Sequence, residues 1–315
     1  MSKIAFIYPG QGAQKAGMGA DFYENSEIAR YIFDQAGEEL DLDMKELCFE
    51  ENDRLDLTEY TQAAMVTTCL AMTRVAESKG LKADITAGLS LGEYPAIAAA
   101  GGMNDMDAIR LVRKRGILMQ NTVPAGEGAM CAVISMAAEE IEKVIEPIAD
   151  VSVANYNCPG QIVITGKTDA VEEAAAKLKE AGARRTIMLN VSGPFHSQML
   201  VPAGEKLAEE LEYTRFHELR IPYVTNVTAE KVTDIRETPG LLTTQISSPV
   251  RWMQSMERMI ADGVDTFVEI GPGKTLEGFL RKIDRSVKVF HISQWEDVDK
   301  VCTELADSGK MMEEA

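Results

Sequence analysis

The sequence predicts an α/β fold in two parts: a large domain with a helix-covered parallel sheet, and a small β-α-β-β-α-β unit inserted into it. Three observations carry this. Short apolar runs alternate with helical periodicity before residue 124 and after residue 193. Between those positions the rhythm changes to paired strands and two amphipathic helices. The turn Gly88-Leu89-Ser90-Leu91-Gly92 stands between an apolar strand and an alanine-rich helix, the pattern of a nucleophile elbow. At 315 residues the chain exceeds the usual single-domain size, and 45% hydrophobic with 26% charged residues supplies a full core.

In order, strand Ile4–Tyr8 enters a glycine-rich loop, and helical patterns follow at Asn25–Leu40 and Gln62–Lys79. Strand Ala83–Ala87 leads to the elbow, then helix Leu91–Ala100 stopped by Gly101-Gly102. Helix Asp105–Met119 precedes a flexible break at Val123–Gly128. Strand Ala129–Ser135, helix Ala138–Ile148, strands Val151–Tyr156 and Gln161–Gly166, helix Asp169–Ala181 and strand Arg185–Leu189 make a ferredoxin-like unit. Helix Gln198–Leu211, strand Pro222–Asn226, helix Val250–Ala261, strand Thr266–Ile270 and an edge strand Lys288–Ser293 resume the large domain. The expected division is therefore an α/β-hydrolase-like catalytic domain, 1–123 and 194–315, with a ferredoxin-like subdomain at 124–193. The last ten or so residues read as frayed.

Composition narrows the functional classes. A net charge of −18 disfavours nonspecific nucleic-acid binding. No apolar run approaches membrane-spanning length and the N-terminus is broken too soon by Pro9-Gly10 for a signal peptide, so a cytoplasmic protein without membrane contact is expected. Five scattered cysteines read as buried free thiols, and three histidines without ligand spacing argue against a metal site. Arg110, Arg113, Lys114 and Arg115 form one basic cluster, and Lys274, Arg281, Lys282, Arg285 and Lys288 another. Either reads equally well as a solvated helix face.

The glycines around Ser90 let strand and helix approach closely and force the hydroxyl to the apex. A helix N-terminus there offers N–H groups to developing negative charge. Three fixed positions recur by chance in roughly one chain in ten of this length, so a tight turn with a capping serine is the alternative until partners are found. Serine attack at neutral pH needs a base. His196 follows the serine in the chain, where the large domain resumes; His217 lies in a polar stretch that reads as exposed, and His291 in the edge strand. His196 is the preferred base. No acid stands out at a strand end, so a Ser–His dyad with a neutral acceptor behind the imidazole is the economical reading. Gly10–Lys15 and Gly273-Lys274-Thr275 both fail phosphate-loop spacing. The first loop better serves to place the Gln11 N–H near an oxyanion.

Seven segments, in order over nearly the whole chain, then bear on function: Tyr8–Gln14, Gly88–Tyr94, Arg115-Gly116 with Met119-Gln120, Asn155–Gln161, Pro194–Ser197, Gln245 before Pro249-Val250, and Glu269–Lys274. Together they resemble the malonyl-CoA:acyl carrier protein transacylases, the acyl-loading enzymes of bacterial fatty acid synthesis. The resemblance implies that Ser90 attacks the malonyl thioester with His196 as general base. The N–H groups of Leu91 and Gln11 would form the oxyanion hole, each worth roughly 3–4 kcal/mol of transition-state stabilisation. The backbone carbonyl near Gln245 would hold the imidazole. Arg115 would grip the malonyl carboxylate, and Met119, Phe195 and Asn157 would line the substrate site. Malonyl-CoA and acyl carrier protein are the implied partners, coenzyme A and phosphopantetheine thioesters being substrates and no cofactor being needed; a monomer is expected. Many family members carry histidine where this chain has Leu89, a change that removes neither base nor oxyanion donor. A serine hydrolase with the same dyad, an acyltransferase of a polyketide assembly line, and a non-catalytic carrier-binding module are the rival readings.

Overall fold

The computed structural model describes residues 2–307. The terminal stretch expected to fray lies outside the described residues, apart from its first few. In chain order the strands are β1 Lys3–Tyr8, β2 Ile85–Gly88, β3 Gly128–Ile134, β4 Val151–Cys158, β5 Gln161–Lys167, β6 Arg185–Met188, β7 Tyr223–Val224, β8 Lys231–Val232, β9 Val264–Ile270 and β10 Lys288–Ile292.

They form two sheets. The larger runs β10-β9-β1-β2-β7-β8, parallel except for the short β8 at its edge. Its central strands are buried on both sides, as a parallel sheet between helices requires. Phe6, Tyr8 and Val268 enter one apolar cluster, while Ala5, Ile7 and Phe267 point into another. The smaller sheet, β4-β5-β3-β6, is antiparallel throughout, with the strand order of a ferredoxin-like unit. Cys131 and Val133 of β3 face helices Ala138–Ile145 and Thr168–Glu180, whereas Met130 and Ala132 face the large domain's core.

Several elements differ from the sequence reading. The helix after Ser90 begins as a 3-10 turn, Ser90–Gly92, and becomes α-helical only over Glu93–Ala99. Helix Thr58–Ser78 starts four residues before the expected Gln62, since its buried first turn carries no apolar stripe. The stretch 25–40 divides at Ser26, whose hydroxyl caps Glu27–Leu40 by accepting from the Ala29 N–H. Helices Met44–Phe49, Thr238–Gln245, Thr275–Ile283 and Trp295–Asp307 and strand β8 were not foreseen.

The small sheet is tied to the large domain through the loop before helix Trp252–Ala261. The Tyr156 N–H of β4 donates to the Val250 carbonyl at 2.9 Å, and the Val250 N–H to the Ala154 carbonyl at 2.8 Å. This join brings one face of β4 against the carboxyl ends of β1 and β2, where open α/β sheets place their ligands.

Candidate active site

β1 and β2 run side by side with Tyr8 opposite Gly88, so their following loops share one rim. The chain turns at once after Gly88. Ser90 has φ 54°, a left-handed backbone that a non-glycine residue holds only when its surroundings impose it. Those surroundings are specific: the Asn226 side chain accepts from the Ser90 N–H at 2.7 Å and donates to the Gly88 carbonyl at 2.7 Å.

The flanking glycines are steric necessities. A Cβ on Gly88 would lie 1.8 Å from the Gly92 carbonyl oxygen, and one on Gly92 would lie 2.3 Å from that of Tyr8. Gly88→Ala is expected to destabilise the fold by about 3 kcal/mol or more. Gly278→Ala, in a helix with open space around it, should be neutral or slightly stabilising. Urea unfolding of the two variants checks this; equal midpoints would mean that the elbow relaxes without cost.

Ser90 Oγ lies 2.8 Å from His196 Nε2, and His196 Nδ1 lies 2.9 Å from the Gln245 carbonyl oxygen. A carbonyl can only accept, so Nδ1 carries the proton and Nε2 presents its lone pair to the serine hydroxyl. Burial first, and then the charge of Arg115, pull the His196 pKa down to about 4. The imidazole is therefore neutral at pH 7, the form a general base needs.

Arg115, on helix Asp105–Asn121, is wholly buried. The solvated-face alternative fails for it. Nη1 donates to Gln62 Oε1 at 2.8 Å, while Nη2 donates to Ser90 Oγ at 3.1 Å and to Gln245 Oε1 at 3.0 Å. Its guanidinium lies 5.4 Å from the centre of the Tyr94 ring, and its Nε is buried without a partner. Desolvation lowers its pKa. The neighbouring cations are already paired: Arg110 with Glu39 and Asp107, Arg113 with Glu59, Lys114 with Glu210.

These groups line a cavity of about 490 Å³ that also takes in Gln11, Leu91, Met119, Asn157 and Phe195. All the site residues expected from the sequence thus meet at this cavity except Gln245, which lies behind it and reaches it through His196 and Arg115. Gln11 donates its side-chain Nε2 to Thr58 Oγ1 at 3.0 Å, and Leu91 occupies the first turn after Ser90, where N–H groups lack helical acceptors. Met119 Sδ accepts from Gln62 Nε2 at 3.5 Å, and Asn157 Oδ1 is buried without a partner. Leu89, the departure noted above, also lines the cavity. His217 is only partly exposed, its Nε2 buried and its backbone bonded to Gly102, far from this constellation in role. His291 faces Glu277 at 3.5 Å on the outer strand β10.

Three participants were missed. Gln62, Asn226 and Glu93 all bond to the residues above, yet only Glu93 sat in a segment that drew notice. Gln62 and Asn226 belong to no local motif, and a buried helical glutamine carries no sequence signal of its own.

The acyl transferase domain family matches residues 5–298. The malonyl CoA-acyl carrier protein transacylase of Bacillus subtilis (strain 168) is 44% identical over 304 residues, covering 95% of this chain and 96% of that protein. The crystal structure of the malonyl CoA-acyl carrier protein transacylase from Clostridium perfringens aligns with a TM-score of 0.94 at 42% identity, over 98% of both chains. A malonyl-transacylase solved in complex with its type II PKS acyl-carrier protein aligns at 0.93, with 35% identity over 96% of this chain and 100% of that one. With an elbow serine against a neutral imidazole, a buried arginine beside both, and relatives matched from end to end, the chain belongs to the acyl transferase domain family, among the malonyl CoA-acyl carrier protein transacylases.

Proposed function

We infer that the protein moves a malonyl group from malonyl-CoA to the phosphopantetheine thiol of acyl carrier protein, in fatty acid biosynthesis, through an ester on Ser90. The observation that carries this reading is the buried Arg115 guanidinium 3.1 Å from Ser90 Oγ with one N–H unpartnered. A cation so placed favours an acyl group that ends in a carboxylate, because its planar fork suits two parallel bonds to that group.

The steps follow from the neighbours. His196 Nε2 takes the hydroxyl proton as Ser90 Oγ bonds to the thioester carbon. The N–H groups of Leu91 and Gln11 receive the oxyanion. As the carbonyl re-forms, the carbon–sulfur bond breaks and His196 returns the proton to the coenzyme A sulfur. The carrier thiol reverses the sequence: it gives its proton to His196 and attacks the Ser90 ester, the bond from the acyl carbon to Ser90 Oγ breaks, and His196 returns the proton to that oxygen as the malonyl thioester leaves. Phe195, Met119 and Asn157 shape the space around the acyl and pantetheine groups. Ester exchange of this kind needs no cofactor, and both thioesters enter as substrates. The related transacylase solved with its carrier supports acyl carrier protein as the acceptor. The basic cluster with Lys274 and Arg281, on and beside the cavity-lining helix Thr275–Ile283, is the proposed docking patch for it. The reading treats residues 124–193 as an inserted subdomain and the protein as a cytoplasmic monomer; among the described residues no helix is long and apolar enough to cross a membrane.

Intact mass after incubation with malonyl-CoA, before and after adding acyl carrier protein, tests it. The expected result is a malonyl-sized adduct on the Ser90 peptide that moves to the carrier thiol. An adduct that decays equally fast without carrier would make the protein a hydrolase.

A further inference from the structure

Glu93, wholly buried three residues after Ser90, has no step in the chemistry above. Burial pushes its carboxyl up to about 7, against hydrogen bonds from Gln245 and the Asn226 N–H and the charge of Arg115. A group so costly to bury needs an account.

Its contacts supply one. Glu93 Oε2 accepts from Gln245 Nε2 at 2.6 Å and from the Asn226 N–H at 3.1 Å. Gln245 Nε2 also donates to the Ser90 carbonyl at 3.0 Å, while Gln245 Oε1 accepts from Arg115 Nη2 at 3.0 Å. The backbone carbonyl of the same glutamine holds His196. Both bonds to Glu93 reach Oε2, which therefore acts as an acceptor, while a guanidinium only donates. A primary amide between them therefore fits one way round, its NH₂ toward Glu93 and its oxygen toward Arg115. The opposite orientation would set oxygen against oxygen and N–H against N–H.

Why an amide stands between the two groups follows from the same inventory. A direct pair would let the carboxylate take two parallel donors of the fork. With Gln245 interposed, Glu93 makes no bond to the guanidinium: Nη2 donates to the amide and to Ser90, Nη1 to Gln62, and Nε stays without a partner. We propose that Glu93 is a positioning residue: it locks the Gln245 amide in one orientation and stays off the guanidinium itself, so that the carboxylate of an incoming acyl group is the one left to pair with Arg115.

This inference rests on the malonyl-transfer reading, and the test separates the two. Glu93→Gln keeps size and an acceptor but removes the charge, so the Gln245 amide is free to face either way. With saturating acyl carrier protein, the KM for malonyl-CoA should rise about tenfold, as the loss of one charge-assisted hydrogen bond predicts, with kcat changing much less. Equal changes in kcat and KM, or no change in either, would overturn the proposal. A double-mutant cycle adds a readout that a merely structural role would not move. In the Gln245→Met background the amide is gone, and Glu93→Gln should then change KM by less than about twofold. Additive effects would sink the idea. Where Glu93→Gln does not fold, Gln245→Met alone decides: it must raise the KM for malonyl-CoA, and an unchanged KM overturns the assignment. Failure of the unaltered protein to transfer malonyl would instead refute the functional reading.

Discussion

Ser90→Ala is expected to lower malonyl transfer on the order of 10⁶-fold, the scale on which losing a serine nucleophile disables a Ser–His machine. The reason is local. The hydroxyl sits 2.8 Å from the one imidazole that the fold aims at the cavity, and the turn already holds a non-glycine residue at φ 54°. Alanine tolerates that backbone about as well as serine does, so stability should change little while chemistry stops. Circular dichroism and the malonyl-adduct mass, measured on the same preparation, check both halves. A folded Ser90→Ala protein that still loaded the carrier at full rate would leave only a non-catalytic role for this cavity.

Arg115→Ala should cut kcat/KM for malonyl-CoA by about 10²- to 4 × 10³-fold, since breaking buried charge-assisted contacts costs about 3–5 kcal/mol and each 1.4 kcal/mol is tenfold. Acetyl-CoA, which has no carboxylate to hold, should lose much less. The same variant should also move the acid limb of the pH–rate profile. His196 works unprotonated, and its pKa is lowered to about 4 by burial and by the Arg115 charge. Activity in the unaltered protein should therefore rise as pH climbs through about 4 and level off above it. Without the cation beside it the imidazolium is less disfavoured, so the midpoint moves up, toward the ordinary histidine value near 6.5. Equal losses with both thioesters, or an acid limb that stays put, would remove Arg115 from its assigned role.

Much of this was legible in the chain because the relevant constraints are local. Gly88 and Gly92 mark a contact between strand and helix too close for any side chain, and that contact fixes where the serine must be. The β-α-β-β-α-β rhythm of 128–188 is complete within itself, so its antiparallel pairing needed no distant partner. The unread elements had weaker local signals. Helix Thr238–Gln245 opens Thr-Pro-Gly and carries three threonines, which read as a loop; the fold holds it by burying Leu242 and Gln245. Thr275–Ile283 was masked by the Gly271-Pro272-Gly273 turn before it, although Leu276, Phe279 and Leu280 keep helical spacing. In the site, the group behind the imidazole is a backbone carbonyl, which every residue type possesses and no motif reveals. Asn226 lies 136 residues from the serine it steadies, a distance only the folded sheet can close.

The two backbone bonds that join Tyr156 and Ala154 to Val250 have a mechanical meaning. β4 presents Asn155 and Asn157 to the cavity, and Val250 is five residues beyond the glutamine whose carbonyl steadies His196. A swing of the small sheet away from the large domain would have to rupture those bonds, five residues along the chain from the imidazole's support. The join thus couples the β4 wall of the cavity to the segment that carries the imidazole's acceptor. One stretch of backbone, Gln245 to Val250, serves both the proton-carrying ring and the opposite wall that bears Asn155 and Asn157.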